Sequence, residues 1–110
     1  MTASSVGDED LQTLADIDRL IHEPARLMVL ALLYVVESAD FLFLARQIGL
    51  TPGNLSSHLS KLEAAGYVAI EKEFLDKKPH IMIRLPDAGL AAFQQYRQVM
   101  KRVLDDLPDH

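Results

Sequence analysis

Residues 54, 57, 58 and 61 fall at helical spacing within Gly53-Asn54-Leu55-Ser56-Ser57-His58-Leu59-Ser60-Lys61-Leu62. An amide, a hydroxyl, an imidazole and an ammonium supply hydrogen-bond donors and acceptors but no activated nucleophile. The chemistry open to them is reversible recognition of a polar surface. Asn54 has the fork for two parallel bonds to an adenine edge, Ser57 and His58 can each donate or accept, and Lys61 can reach a phosphate. Further along, Lys72, Lys77, Lys78 and His80 form a second group of cationic or polar side chains, suited to a phosphate backbone.

Chemistry of other kinds finds no support. There is no glycine-rich phosphate loop, nucleophile elbow or paired-carboxylate pattern, so no enzyme is expected. The four histidines, His22, His58, His80 and His110, lack short metal-ligand spacing, and the chain has no cysteine. No metal and no cofactor are expected. The missing cysteines also exclude disulfides and fit a reducing interior. The start lacks a basic region followed by an apolar core, and no run reaches the roughly 18 apolar residues of a membrane helix. A cytoplasmic protein without membrane contact is expected.

At 110 residues with 49% apolar content, the chain can bury one core and no second. Its formal net charge of −5 argues against a polyanionic partner only if the charge is uniform. Residues 1–40 carry eight acids against two bases (−6) and residues 85–110 carry four against three (−1). Residues 41–84 carry four acids against six bases (+2). A basic middle within an acidic chain gives one face for phosphate contact.

The elements that must position these side chains follow from periodicity and punctuation. Residues 1–10 are small, polar and acidic and read as a disordered tail, leaving residues 11–107 as the single domain. Leu11, Leu14, Ile17, Leu20 and Ile21 predict a first amphipathic helix. Pro24 suits the first turn of a second helix, and the apolar run from Leu27 to Val36 predicts that others pack around it. Asp40 can cap a third helix over 41–48, stopped by Gly49. Thr51 and Pro52 open a fourth, with Leu55, Leu59 and Leu62 on its apolar face and Gly66 at its end. Two strands then alternate around Lys77 and Lys78, predicting a hairpin. A last helix runs from Asp87 to about Leu104 with Phe93, Tyr96, Met100, Val103 and Leu107 along one stripe.

Gly53 through Val68 and Pro24-Ala-Arg26-Leu-Met-Val-Leu30, in this element order, resemble the winged-helix transcriptional regulators of the MarR/ArsR superfamily, particularly its small stand-alone members. The resemblance covers about residues 20–100. It implies a mainly α fold with a small β-hairpin, a winged helix-turn-helix with a two- or three-stranded wing. Two positions depart from the pattern. Members often carry a Thr in the second wing strand and a Leu-Thr-x-x-Gly junction, whereas this chain has His80-Ile-Met-Ile and Leu85-Pro86-Asp87-Ala88-Gly89. Pro86 cannot supply the cap that Thr would.

The resemblance implies a sequence-specific regulator, acting as a dimeric repressor, whose fourth helix enters the major groove of double-stranded DNA. Gly53, Asn54, Ser57, His58 and Lys61 then face DNA with Ser56 near a phosphate, and Lys72, Lys77 and Lys78 reach it from the wing. Surplus apolar surface at Leu11, Leu14 and Ile17, with Leu90, Phe93, Met100, Val103 and Leu107, points to a homodimer on a roughly palindromic operator. A small-molecule effector could lodge between the terminal helices and the fourth. The alternative function is a winged-helix protein–protein interaction module, which the acidic surface would suit.

Overall fold

Local signals set the central helices. A computed structural model describes residues 7–109. Its elements are α1 (Asp8–Ala15), α2 (Pro24–Val36), β1 (Ser38–Asp40), α3 (Phe41–Ile48), α4 (Pro52–Ala64), β2 (Ala69–Leu75), β3 (Lys78–Arg84) and α5 (Asp87–Asp105). This is the order of a winged helix-turn-helix. The Asp40 carboxylate accepts from the Phe43 N–H at 3.1 Å and opens α3, which Gly49 closes in the left-handed conformation (φ 79°). Thr51 Oγ1 accepts from the Asn54 N–H at 3.1 Å with Pro52 in the first turn of α4. Gly66 (φ 78°) ends that helix.

The core forms where these helices meet the sheet. Val29, Leu30 and Leu33 of α2, Leu44 of α3, Leu55, Leu59 and Leu62 of α4, and Ile83 of β3 pack in one cluster with Phe93 and Tyr96 of α5. The three strands pair antiparallel in the order β1-β3-β2, with Ala39 opposite Ile83 and Ile83 opposite Ile70. β1 is too short to show alternation in sequence; its pairing with β3 alone defines it. At the tip, Leu75 pairs with Lys78 across the two-residue turn Asp76–Lys77, and both turn residues have positive φ, the signature of a type I′ hairpin. Pro79 pairs with Phe74, next to the turn-closing pair and beyond the end of β1. Its missing N–H therefore falls on the open side of β3 and costs no ladder bond.

The junction into α5 is set by Gly89. A β-carbon there would lie 2.0 Å from the Tyr67 carbonyl oxygen and 2.9 Å from the Leu85 side chain, so no other residue fits. As its side chain requires, Pro86 provides no side-chain cap for α5. The Pro86 carbonyl accepts from Leu90 N–H instead.

Four expectations are corrected. The first helix begins at Asp8, inside the segment read as a tail, because Asp8, Glu9 and Asp10 suit the positive end of a helix; residues 1–6 lie outside the described residues. It stops at Ala15 rather than continuing to Ile21. There the Asp18 carboxylate accepts from the N–H groups of Leu20 (3.0 Å) and Ile21 (3.2 Å), offering the backbone a turn in place of helix. α2 is not surrounded, since Val35 is 76% exposed and Met28 and Val36 also face out. Finally, Phe93 and Val103, expected at a dimer interface, are buried within their own chain. Phe93 stacks obliquely on Tyr34 with ring centroids 5.3 Å apart.

The molecule measures 66 × 26 × 21 Å and has a radius of gyration of 17.0 Å, against roughly 13 Å for a compact chain of this length. α1 lies along α5, tied by a bond from the Arg102 guanidinium to Thr13 Oγ1. Leu11, Leu104 and Leu107 are left exposed on this two-helix arm, and Leu14, Ile17, Leu90 and Met100 are half-buried.

Candidate nucleic-acid interface

α4 divides cleanly by its sequence. Leu55, Leu59 and Leu62 point into the core and are fully enclosed, while Gly53, Asn54, Ser56, Ser57, Ser60, Lys61 and Ala64 are exposed. The N-terminal half of the helix carries no acid, so its positive dipole end and its small side chains face solvent together. A β-carbon on Gly53 would meet nothing within 4 Å. Glycine costs a helix about 1 kcal/mol relative to alanine, and no contact inside the molecule explains it here. A bare backbone at this point admits close approach by an external surface.

His58 is drawn off that face. At 100° per residue it lies only roughly 60° around the helix from Leu55, near the edge of the buried stripe. Its Nδ1 is 3.2 Å from Arg26 Nη1 and its Nε2 is 3.7 Å from Glu23 Oε2. A guanidinium only donates, so Nδ1 accepts and the proton sits on Nε2, towards Glu23. Arg26 also donates to the Leu20 carbonyl at 2.6 Å, and Glu23 caps α2 by accepting from the Arg26 N–H. That cap holds the Glu23 carboxyl below its usual pKa, with the imidazole adding a smaller contribution in the same direction. His58 thus anchors α4 to the start of α2. Sequence reading missed Arg26 and Glu23 as its partners, because they lie about one helix pair upstream and no local pattern links them.

In the wing, alternation sorts the charges. Ile70, Lys72 and Phe74 of β2 share a face with Pro79, Ile81 and Ile83 of β3. Glu71, Glu73, Lys78, His80 and Arg84 lie on the other. The first face looks towards α4: Ile70 and Ile81 line a groove of about 210 Å³ with Ser56, Ser60, Leu59 and Phe41. Ser56 therefore sits between helix and wing. Lys72 holds its ammonium 5.8 Å from the centre of the Phe74 ring. Lys77 occupies the turn, Lys78 starts β3, and all three lysines are exposed. On the second face Arg84 pairs with Glu71 at 3.0 Å.

Asp40 joins the wing to the reading unit. One carboxylate oxygen caps α3 and the other bonds His80 Nδ1 at 3.0 Å. The bond from His80, then that from the Phe43 N–H, holds the Asp40 carboxyl below its ordinary pKa. His80 fixes the wing through this link.

A cleft of about 520 Å³ opens between the α1–α2 connection and α5, lined by Thr13, Ile17, Asp18, Tyr67, Tyr96 and Val99 among others. It does not touch α4. Tyr67 donates to Asp18 at 2.7 Å, which raises the phenol's pKa, and burial raises that of Tyr96. Among the described residues no helix is long and apolar enough to cross a membrane, and no three His, Asp or Glu side chains cluster as a metal site would.

A family model described as "Winged helix DNA-binding domain" matches residues 25–104. The chain is 35% identical over 78 residues to the uncharacterized protein MJ0432 of Methanocaldococcus jannaschii, covering 71% of this chain and 85% of that one. The transcriptional regulator homologue protein from Pyrococcus horikoshii OT3 superposes with a TM-score of 0.81 at 29% identity, covering 88% of this chain and 95% of that one. A MarR-family transcriptional regulator from Silicibacter pomeroyi shares the fold, with a TM-score of 0.62 at 22% identity over 87% of this chain and 64% of its own.

Proposed function

The chain belongs to the winged helix DNA-binding domain family, and from that premise we propose that it is a sequence-specific transcriptional regulator that binds double-stranded DNA as a homodimer and represses by occupying its operator. The observation that carries this reading is the outward face of α4, where Gly53, Asn54, Ser57 and Lys61 form an exposed surface without acids beside a lysine-bearing wing. Asn54 and Ser57 read base edges in the major groove. Lys61, Lys72, Lys77 and Lys78 hold phosphates, and Ser56 supports the strand nearest the groove between helix and wing. His58 contributes by fixing the helix rather than by reading bases.

The arm supplies the dimer. Leu11, Leu104 and Leu107 are exposed beside half-buried Leu14 and Met100 on a pair of helices with no third layer. A two-fold copy would complete a four-helix layer and set two α4 helices about one DNA turn apart, matching a roughly palindromic operator. The cleft beneath Tyr67 and Tyr96 lies where arm and reading unit join and has the volume of a small-molecule site. An effector held there would shift one against the other.

The test is binding by the purified chain to duplexes it selects from a random-sequence pool, across a salt series. Affinity should fall steeply as salt rises, because each phosphate contact releases counterions. No salt-sensitive affinity for any duplex at low ionic strength would sink the regulator and favour a protein-binding module.

A further inference from the structure

Exposed apolar side chains crowd the outer part of the wing. Phe74 is 68% exposed, Ile81 47% and Leu75 48%, all on a hairpin that carries three lysines. The strand register divides these residues by face. Phe74, Pro79 and Ile81 lie with Lys72 on the face towards α4, and no carboxylate shares it. Glu71 and Glu73 lie on the opposite face with Leu75, and Asp76 is in the turn. The acid-free wing face thus continues the acid-free N-terminal half of α4 across the groove lined by Ser56, Ser60, Ile70 and Ile81, with Glu63 one turn further along the helix.

Resting on the reading of the chain as a DNA-binding regulator, we propose that Phe74, backed by its cross-strand neighbour Pro79, is an apolar blade that packs against sugar and base edges in the minor groove next to the site read by α4. Charge complementarity selects DNA as the occupant. Lys72 stands beside the ring, with its ammonium 5.8 Å from the ring centre, and would hold the phosphate flanking the blade. Proline has few conformations and the type I′ turn fixes the tip, so little freedom is lost when the blade docks. Apolar wedges of this kind open a base step and bend the duplex, reading deformability in place of hydrogen bonds. Specificity from the wing therefore follows flexible pyrimidine–purine steps.

The experiment compares the unmodified chain with Phe74→Ala, Lys72→Ala and Leu75→Ala, using the duplex that the unmodified chain selects from a random pool. All three side chains are exposed, and thermal melts check that folding is retained. Phe74→Ala should weaken binding about tenfold with the salt slope unchanged, since no counterion is released by a phenyl ring. Lys72→Ala should weaken binding and reduce the slope by about one ion. Leu75→Ala, on the other face, should bind as the unmodified chain does. Equal affinities for Phe74→Ala and the unmodified chain overturn the blade and leave the regulator standing, as does a loss at Leu75→Ala matching that at Phe74→Ala. Failure of the unmodified chain to select any duplex overturns both.

Discussion

Gly89 and the carbonyl of Tyr67 meet so closely that a β-carbon on the glycine would lie 2.0 Å from the oxygen. Both atoms belong to backbone, so neither can swing aside. Gly89→Ala must push α5 off the start of the wing, at a cost of at least about 3 kcal/mol. Thermal melts should show a midpoint lowered by more than about 10 °C. A midpoint within a degree or two of the unmodified protein would mean the junction is looser than its geometry.

The Asp40 carboxylate bonds both the Phe43 N–H and His80, and its pKa is lowered by the His80 bond first and the cap second. A lowered folded pKa gives stability that is present above the unfolded value of about 3.9 and is lost as pH falls through the folded one. Asp40→Asn keeps the cap but not the charged bond, so it should be less stable at neutral pH by about 1 kcal/mol. The gap should begin to narrow only as pH falls below about 3.9, and close once the pH has passed the lowered folded value. Urea titrations at pH 7 and pH 3 measure this, and an undiminished gap in acid would contradict the assignment.

His58 anchors α4 through Arg26 and Glu23, whereas Asn54 and Ser57 point outward. Asn54→Ala and Ser57→Ala should each relax base discrimination by about 1–3 kcal/mol at one operator position. His58→Ala should lower stability by about 1 kcal/mol and weaken all duplexes alike. Lys78→Ala should likewise weaken specific and random DNA equally. Competition binding against single-base operator variants separates the groups; loss of discrimination at one base in His58→Ala would return that residue to the reading surface.

The positions legible in sequence and those that were not differ in the range of the interactions that set them. The ends of α3 and α4 are written in adjacent residues, Asp40, Gly49, Thr51-Pro52 and Gly66, and the outward position of Asn54, Ser57 and Lys61 follows from the Leu55–Leu59–Leu62 stripe alone. The inward turn of His58 depends on Arg26, 32 residues away, and β1 depends on Ile83. Phe93 and Val103 lie on the same helical stripe as Met100, so periodicity shows an apolar face but not which neighbour covers each part of it. The early stop of α1 turns on the Asp18 side chain taking up two backbone N–H groups, a competition that apolar spacing does not register.

Glu37 ends α2 at φ 70° and ψ −36°, a conformation unfavourable for a residue with a side chain, while its carbonyl accepts from the Leu85 N–H. Glu37→Gly should raise stability by up to about 1 kcal/mol, and Glu37→Ala should not. Lys77 (φ 67°) offers the same gain in the wing turn, so Lys77→Gly should melt higher yet bind DNA more weakly and with a smaller salt slope. Parallel melts and binding isotherms check the pair.

Leu104→Glu and Leu107→Glu place charge on the exposed side of the arm and should convert a dimer to a monomer at micromolar concentration without lowering the melt of the reading unit. Sedimentation velocity reads the outcome. A monomeric unmodified protein, or a dimer indifferent to both changes, would remove the arm from the interface.

The bond between Thr13 and Arg102 spans 89 residues, joining the first helix to the last. During synthesis α1 leaves the ribosome early but finds its packing surface only when α5 has followed, whereas α2, α3 and α4 meet one another across shorter spans of chain. The arm is therefore the last part of each chain to acquire its shape, and any contact made through it must wait for translation to pass α5.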